Sequence, residues 1–141
     1  MVKITNIKPR YYETQTGYKT RAAYTPAKMV DCGTHCFIYT SSIEPDKDDA
    51  TNKVLTDDVV EQTKQVFREV GHILGGVGAT MDDVVKAVIY LTDLDDFKKI
   101  SAIRAGHFEL SMPVSTLVEV RRLRAVGAKI AMEVTAVLSK V

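Results

Sequence analysis

The sequence predicts an α+β fold, in which a mixed β-sheet carries two helices packed on one face. The first observation is that residues 56–97 contain an amphipathic helix, a glycine break, a buried strand and the start of a second helix. The second is that apolar and polar residues alternate with a period of two on both sides of this stretch. The resulting element order (two strands, helix, strand, helix, two strands) gives a two-layer architecture around one core.

The first helix and the strand after it are predicted from their apolar patterns. One helical face is formed by Val59, Val66, Phe67, Val70, Ile73 and Leu74. Thr56 is the expected N-cap, and Gly75 and Gly76 are expected to end the helix, because glycine adopts the left-handed conformation at no steric cost. The run Val84–Leu91 is β-branched and nearly all apolar, which predicts a buried strand.

Further elements are predicted on either side of this stretch. Residues 22–42 are expected to form two strands joined by a turn at Gly33, which supplies a permissive backbone. A second helix is predicted over residues 94–110 and stops before Pro113, because a proline disfavours helical geometry in the preceding residue. The last two strands are predicted over residues 114–123 and 128–138.

One face of the predicted sheet has a mixed character. The last strand is expected to point Ile130, Met132, Val134, Ala136 and Leu138 at the helices. The opposite face is assigned the apolar residues Leu117, Ala131 and Val137 together with charged residues that include Glu119 and Glu133. That face is too apolar to stay wholly in water and too charged for a dry core. A second subunit that covers it would explain both properties.

The composition is that of a soluble globular chain. Hydrophobic residues make up 45% and charged residues 26% of 141 residues, which predicts a single domain over 1–141 with a polar N-terminal extension at 1–21. A formal net charge of +1 favours neither nucleic acid nor an acidic partner. We expect a cytoplasmic protein without membrane contact, because no apolar run approaches ~20 residues and the N-terminus lacks the apolar core of a secretion signal.

The extension at residues 1–21 allows two interpretations. Its basic residues are interleaved with Tyr11, Tyr12 and Tyr18, as in an arm that binds nucleic acid or a ligand. The alternative is a solvated strap whose tyrosines cover the edge of the domain. The dispersed charges give no continuous track for phosphates, which favours the strap.

Cys32, His35 and Cys36 are the metal-ligand candidates of the sequence. Zinc needs three or four ligands that converge, whereas the alternation of a strand puts His35 and Cys36 on opposite faces. Two cysteines also make no disulfide framework. We therefore expect neither a metal nor another cofactor.

The run EQTKQVF…GVGATMDDVVKAVIYLTDLDDF resembles the Rid family (YjgF/YER057c/UK114). In that family a helix of the type QT-x-Q-V-hydrophobic leads to GA-[ST]-hydrophobic-DDVVK and to a strand that ends in LTD. The resemblance covers roughly residues 22–138. It implies a chorismate-mutase-like fold that assembles as a homotrimer around a central barrel, with ligand sites in the clefts between subunits. It also implies hydrolysis of reactive enamines and imines to a 2-oxo acid and ammonia.

The resemblance also implies which residues bind a small-molecule substrate. Tyr24-Thr25-Pro26-Ala27 is similar to a Y-S-x-A motif whose tyrosine borders the ligand pocket, which makes Tyr24 a pocket candidate. In the second helix, the family's asparagine and tyrosine are replaced by Ser101 and Arg104. In the P-x-R-[ST] motif, Ser115 stands in place of the arginine that grips the substrate carboxylate, and Thr116 follows it.

The last strand carries the remaining departure. The family has two glutamates here, and the first helps to position the attacking water. Ala131 stands at the first position and Glu133 at the second. Glu133 and Ser115 are therefore the catalytic candidates, although no histidine is placed by the sequence to act as a base for Ser115. Arg104, one helical turn from Ser101, is a candidate for the missing positive charge, and a solvent-facing position is its alternative.

Two functions from different classes follow from these residues. The first is a divergent enamine or imine deaminase that acts on a larger imine, an enamine or an amino-substituted ring-cleavage product. The alternative is a trimer of the same fold that binds a small metabolite, or a protein or RNA partner, without catalysis. The near-neutral charge argues against RNA.

Overall fold

The computed structural model describes residues 2–7 and 24–140. The strands are β1 (Lys3–Ile7), β2 (Ala27–Asp31), β3 (His35–Thr40), β4 (Lys47–Asp48), β5 (Lys53–Val54), β6 (Val84–Leu91), β7 (Val114–Glu119) and β8 (Ile130–Ser139). The helices are α1 (Val59–Gly75) and α2 (Phe97–Phe108). Tyr11, Tyr12 and Tyr18, on which the strap interpretation depends, lie outside the described residues.

The main sheet is mixed and has six strands in the order β1-β2-β3-β8-β6-β7. β6 and β7 pair in parallel, and α2 makes the crossover between them, whereas the other neighbouring pairs are antiparallel. β4 and β5 form a separate small hairpin between β3 and α1. The prediction of a mixed α+β sheet with two helices is confirmed.

The core lies between the helices and one face of the sheet. Its fully buried side chains come from α1, from α2 and from the central strands: Val66, Phe67, Val70, Ile73, Leu74, Ile100, Ile38, Ile89, Leu91, Ile130 and Met132. The Phe67 ring meets the Phe108 ring edge-on, with centroids 5.3 Å apart, and so joins the two helices. The face that β8 was predicted to turn towards the helices is the face that is buried.

The ends of α1 differ in detail from the prediction. Asp58 is the N-cap, and its carboxylate accepts a 2.8 Å hydrogen bond from the Val60 amide. Thr56 lies two residues earlier, and its hydroxyl accepts from the Asp58 amide at 3.2 Å. At the other end Gly76 has a right-handed φ of −62°, and Gly78, with φ +81°, takes the left-handed conformation. α1 therefore ends at Gly75 as predicted, but the left-handed glycine that reverses the chain is Gly78, two residues after Gly76.

The second helix is shorter than predicted. Residues 94–96 form a turn of 3₁₀-helix, because the Asp93 carboxylate accepts a 2.9 Å hydrogen bond from the Asp95 amide and caps that turn. α2 begins only at Phe97. Beyond its end, Met112 has a positive φ of 42°, a conformation that L-residues other than glycine rarely adopt.

The prediction of the faces of β7 was wrong. Leu117 packs against the main core, and the Glu119 carboxylate accepts a 3.1 Å hydrogen bond from the Leu94 amide. Ser115, Leu117 and Glu119 thus face the helices, whereas Val114, Thr116 and Val118 lie on the open face of the sheet, the face opposite the helices. Both alternating sets contain apolar residues, so the pattern of this strand does not specify its orientation.

The N-terminal extension contributes an unexpected strand. β1 pairs with β2 in antiparallel register, from Lys3 opposite Asp31 to Ile7 opposite Ala27. Ile7 is buried, whereas the other side chains of β1 are exposed. The polar composition of residues 1–21 hides this strand, because an edge strand needs little apolar surface.

Candidate functional site

The first group of candidate residues lies where α2 crosses β7. Phe97, Ser101 and Arg104 follow one another at intervals of four and three residues and share one face of the helix. Arg104 Nη2 donates a 2.7 Å hydrogen bond to Ser115 Oγ, and its guanidinium carbon lies 5.9 Å from the centroid of the Phe97 ring. The guanidinium is therefore held against the side chain of residue 115 by a hydrogen bond and by an aromatic face.

The second group surrounds Tyr24, just before β2. Arg124 Nη1 donates a 2.7 Å hydrogen bond to Tyr24 Oη, and its guanidinium carbon lies 5.9 Å from the ring centroid. The backbone of this segment is fixed as well, because the Glu44 carboxylate accepts hydrogen bonds from the amides of Arg124 and Ala125 at 3.0 and 2.8 Å. The positive charge of the Arg124 guanidinium thus lies beside the hydroxyl group of Tyr24.

The third group lies on the open face of the sheet. Tyr90 of β6 donates its hydroxyl hydrogen to Glu133 Oε1 of the neighbouring β8. The hydrogen bond to Glu133, followed by burial and by the nearby negative charge, raises the pKa of the Tyr90 hydroxyl. Glu133 pairs with Val88, and Val88 pairs with Thr116 of β7, so Thr116 lies in the same row and on the same face as Glu133.

The two predicted catalytic residues do not meet in the folded chain. Ser115 pairs with Ala87, whereas Glu133 pairs with Val88, and neighbouring positions of a strand point to opposite faces. Ser115 therefore lies under α2 and Glu133 on the open face. The structure brings Ser115 together with Arg104, and it brings Glu133 together with Tyr90.

Tyr24 and Ser115 are also separated across the sheet. One row runs from Ala27 on β2 to its partner Thr40, whose hydroxyl accepts a 3.0 Å hydrogen bond from the Val134 amide, and then from Val134 through Ala87 to Ser115 on β7. Four strand spacings of about 4.8 Å make roughly 19 Å, and Tyr24 precedes the first residue of this row by only three positions. Tyr24 and Ser115 therefore lie towards opposite edges of the sheet.

Sequence reasoning did not assign site roles to Phe97, Tyr90 and Arg124. Tyr90 alternates with the buried residues of β6, so its place on the open face could have been derived from the strand period. Phe97 is an apolar residue of α2, a type expected in the core, and its ring is instead exposed beside Arg104. Nothing in the local pattern around Arg124 indicates a contact with Tyr24, a hundred residues away.

Metal-ligand groups, surface clefts and long apolar helices are three further features that could indicate a function. Among residues 2–7 and 24–140, no three or more histidine, cysteine or acidic side chains are grouped as metal ligands. A surface cleft of ≈ 350 Å³ beside the β4–β5 hairpin is lined by residues 48–57 and contains none of the site candidates. No helix in the described ranges has both the length and the apolar character that a membrane span requires.

Comparison with known proteins shows the family of this chain. A RutC family protein of Pyrococcus abyssi is 41% identical over 76 residues, which are 54% of this chain and 60% of that protein. The 2-iminobutanoate/2-iminopropanoate deaminase of Capra hircus is 31% identical over 90 residues, 64% of this chain and 65% of that enzyme. The chain thus matches less than two thirds of the length of each relative.

A solved structure extends the likeness over the whole fold. The crystal structure of a member of the YjgF/YER057c/UK114 family from Mycobacterium tuberculosis has 26% sequence identity and a TM-score of 0.71, and the match covers 95% of this chain and 98% of that one. Residues 14–138 match the family described as endoribonuclease L-PSP. The chain therefore belongs to this family, the Rid or YjgF/YER057c/UK114 family.

Proposed function

We propose that this protein is a divergent enamine or imine deaminase, a hydrolase that releases ammonia from a reactive imine of a carboxylic acid. The observation that carries the proposal is the 2.7 Å hydrogen bond between Arg104 Nη2 and Ser115 Oγ. Ser115 stands where the family pattern has its carboxylate-binding arginine, so a guanidinium from α2 takes the place of a guanidinium from β7. The deaminase of Capra hircus, which is 31% identical, supports the same reaction class.

In this proposal Arg104 binds the substrate carboxylate. A guanidinium has five N–H donors in a planar fork, and Ser115 occupies only part of them. Ser101 lies one turn away on the same helix face and offers a hydroxyl to the same ligand. The exposed ring of Phe97 adds apolar surface for a substrate larger than the smallest imino acids.

Glu133 is the proposed base for the attacking water. The water oxygen forms a bond to the protonated imine carbon while the C=N π pair moves to nitrogen, and the water proton passes to Glu133. Glu133 then returns this proton to the amino nitrogen. The C–N bond breaks and its electron pair leaves with the nitrogen, while the hydroxyl oxygen forms the C=O bond and gives its proton to the departing ammonia, so the protonated imine and water give a 2-oxo acid and ammonium. A carboxylate within reach of the water is the group that this chemistry requires.

The site is proposed to lie in the clefts of a homotrimer. Arg104, Ser101 and Ser115 would come from one subunit, and Tyr24 and Glu133 from its neighbour, because these two sets lie on different faces and edges of a single subunit. Thr116 would line the open-face side of the cleft. The chain leading into the edge strand β7 supports an interface there, since Leu110, Met112 and Val114 are 78%, 81% and 68% exposed.

A non-catalytic trimer that binds a small metabolite is the second candidate. The observation in its favour is Ala131, which is fully buried and stands where the family pattern has its water-positioning glutamate. The binding groups would then be the same, and only turnover distinguishes the two candidates.

The test is the release of 2-oxo acid from imines generated in situ by an amino-acid oxidase, for side chains of increasing size. The native chain should accelerate hydrolysis. Arg104→Met should raise KM by roughly tenfold to more than a hundredfold, because a charge-assisted hydrogen bond contributes about 1.5–3 kcal/mol. Lys98→Met, an exposed cation on the same helix, should leave KM unchanged. Absence of turnover for every imine, with binding of the 2-oxo acid retained, would favour the non-catalytic trimer.

A further inference from the structure

Tyr90 and Glu133 form a polar contact on a face of the sheet that is otherwise rich in apolar and neutral side chains. Both side chains are half-buried, and the Tyr90 hydroxyl donates to Glu133 Oε1. The contact is diagonal, because Tyr90 pairs with Ala131 and Glu133 pairs with Val88. The carboxylate is thereby held beside the row of Tyr90 and Ala131 rather than left to move freely over its own row.

We propose that Tyr90 is a positioning residue that holds the Glu133 carboxylate over Ala131, the position at which the family pattern has its first glutamate. This inference rests on the proposed deaminase function. If residue 131 were a glutamate, as in the family pattern, this role of Tyr90 would be unnecessary. The loss of one carboxylate and its replacement by the next residue of β8 on the open face would then parallel the replacement of the arginine by Arg104.

The chemistry of the pair fits this role. A phenol hydroxyl that is bonded to Oε1 fixes the carboxylate plane and leaves Oε2 to accept a hydrogen bond from the attacking water. Since the hydrogen bond to Glu133 raises the pKa of Tyr90, the phenol keeps its proton at neutral pH and remains a donor. A second hydroxyl on the same face, that of Tyr39 on β3, is exposed, and its phenol is the natural control.

The experiment compares native protein, Tyr90→Phe, Tyr39→Phe, Glu133→Gln and the double variant Tyr90→Phe/Glu133→Gln. Each is assayed for kcat and KM on the imine that the native chain hydrolyses best. Tyr90→Phe should lower kcat about tenfold, with KM and the thermal midpoint nearly unchanged, because only one hydrogen bond to a charged group is removed. Tyr39→Phe should match the native chain. The double variant should be no slower than Glu133→Gln alone, because Tyr90 acts through Glu133.

Two results would overturn the inference while the deaminase function stands. One is a native kcat in Tyr90→Phe. The other is a loss of kcat on Tyr90→Phe that is equally large when Glu133 is already glutamine, since a merely structural tyrosine would give such additive losses. If the native chain hydrolyses no imine, the proposed function fails, and the role of Tyr90 fails with it.

Discussion

Arg104 Nη2 and Ser115 Oγ lie 2.7 Å apart, so the positive charge of a side chain from α2 lies beside the helix-facing side of the edge strand β7. The two residues belong to consecutive elements, and only five residues, 109–113, join α2 to β7. This short connection fixes the crossing of helix and strand. A guanidinium that donates to the Ser115 hydroxyl and lies beside the Phe97 ring loses less freedom when it binds a carboxylate than a solvated one does.

Restoring arginine at residue 115 should depend on what stands at residue 104. In the native chain Ser115→Arg would place a second guanidinium against that of Arg104, and the repulsion between like charges should limit any gain in substrate binding. In an Arg104→Met background the same change should lower KM for 2-iminopropanoate by about tenfold or more. KM values for the native, the two single and the double variants check this. Equal effects of Ser115→Arg in both backgrounds would show that the two positions do not share a ligand.

Subunit mixing should reveal whether the site is shared between copies. Arg104→Met and Glu133→Gln chains, each strongly impaired alone at substrate concentrations below the native KM, are unfolded, mixed in equal amounts and refolded. In a cyclic trimer whose sites combine Arg104 of one subunit with Glu133 of the next, random assembly should restore about a quarter of the native activity. Each variant refolded alone is the control. If both groups came from the same subunit, the mixture would be no more active than the variants refolded alone.

Local patterns predicted the parts of the fold that local physics decides. β6 was predicted with its observed bounds, Val84–Leu91, because a β-branched run between a glycine break and a capping aspartate leaves little choice. β7 was assigned the wrong face, because Val114 and Leu117 are apolar on opposite sides of the strand and only tertiary packing selects between them. β1 was missed because a polar edge strand has no sequence signal of its own.

In the candidate site, too, the sequence indicated some residues, whereas the contacts between them depend on tertiary structure. The direction of Arg104 was left open by the sequence, since a helix surface charge can point to solvent or to a neighbouring strand, and the contact with Ser115 depends on how α2 crosses β7. Glu133 was predicted as a catalytic candidate, and its role is still a prediction. Its partner Tyr90 was not predicted, because a diagonal contact across two strands requires their register, which the sequence alone does not give.

Gln62, the glutamine of the QT motif in the family resemblance, has a structural role that can be measured with variants. Gln62 is fully buried, and its amide donates to the carbonyls of Thr56 and Gly127 at 2.8 and 3.1 Å and accepts from the Lys129 amide at 2.8 Å. It thereby ties α1 to the segment before β8. Gln62→Leu should lower the free energy of unfolding by roughly 2–4 kcal/mol, because three backbone groups lose their partner.

The measurement for Gln62 is the urea midpoint at constant slope. Lys64→Leu, an exposed position on the same helix whose ion pair with Glu61 spans 3.0 Å, is the matched control and should change stability by less than about 1 kcal/mol. A Gln62→Leu chain as stable as the control would show that backbone and solvent replace the amide without cost.

Glu69 makes stability depend on pH in an unusual direction. Its Oε1 is buried without a hydrogen-bond partner among the described residues, and Oε2 lies 3.9 Å from His72 Nδ1. Burial raises the pKa of this carboxyl above its ordinary value of 4.5, with a smaller opposing effect of His72. The folded state therefore binds this proton more tightly than the unfolded chain. The resulting stabilisation is complete below the unfolded pKa and is lost as the pH rises through the folded pKa.

Glu69→Gln should remove this loss, because an amide does not ionise. We expect the variant to match the native chain near pH 4 and to exceed its stability near pH 7.5, where the native carboxylate is charged and partly desolvated. Urea unfolding of both chains at the two pH values measures the difference. Glu61→Gln, exposed on the same helix, controls for the removal of a negative charge from α1. A stability difference that stays constant with pH, or that grows towards pH 4, would mean that an unseen donor reaches Glu69 Oε1 and holds the carboxylate charged.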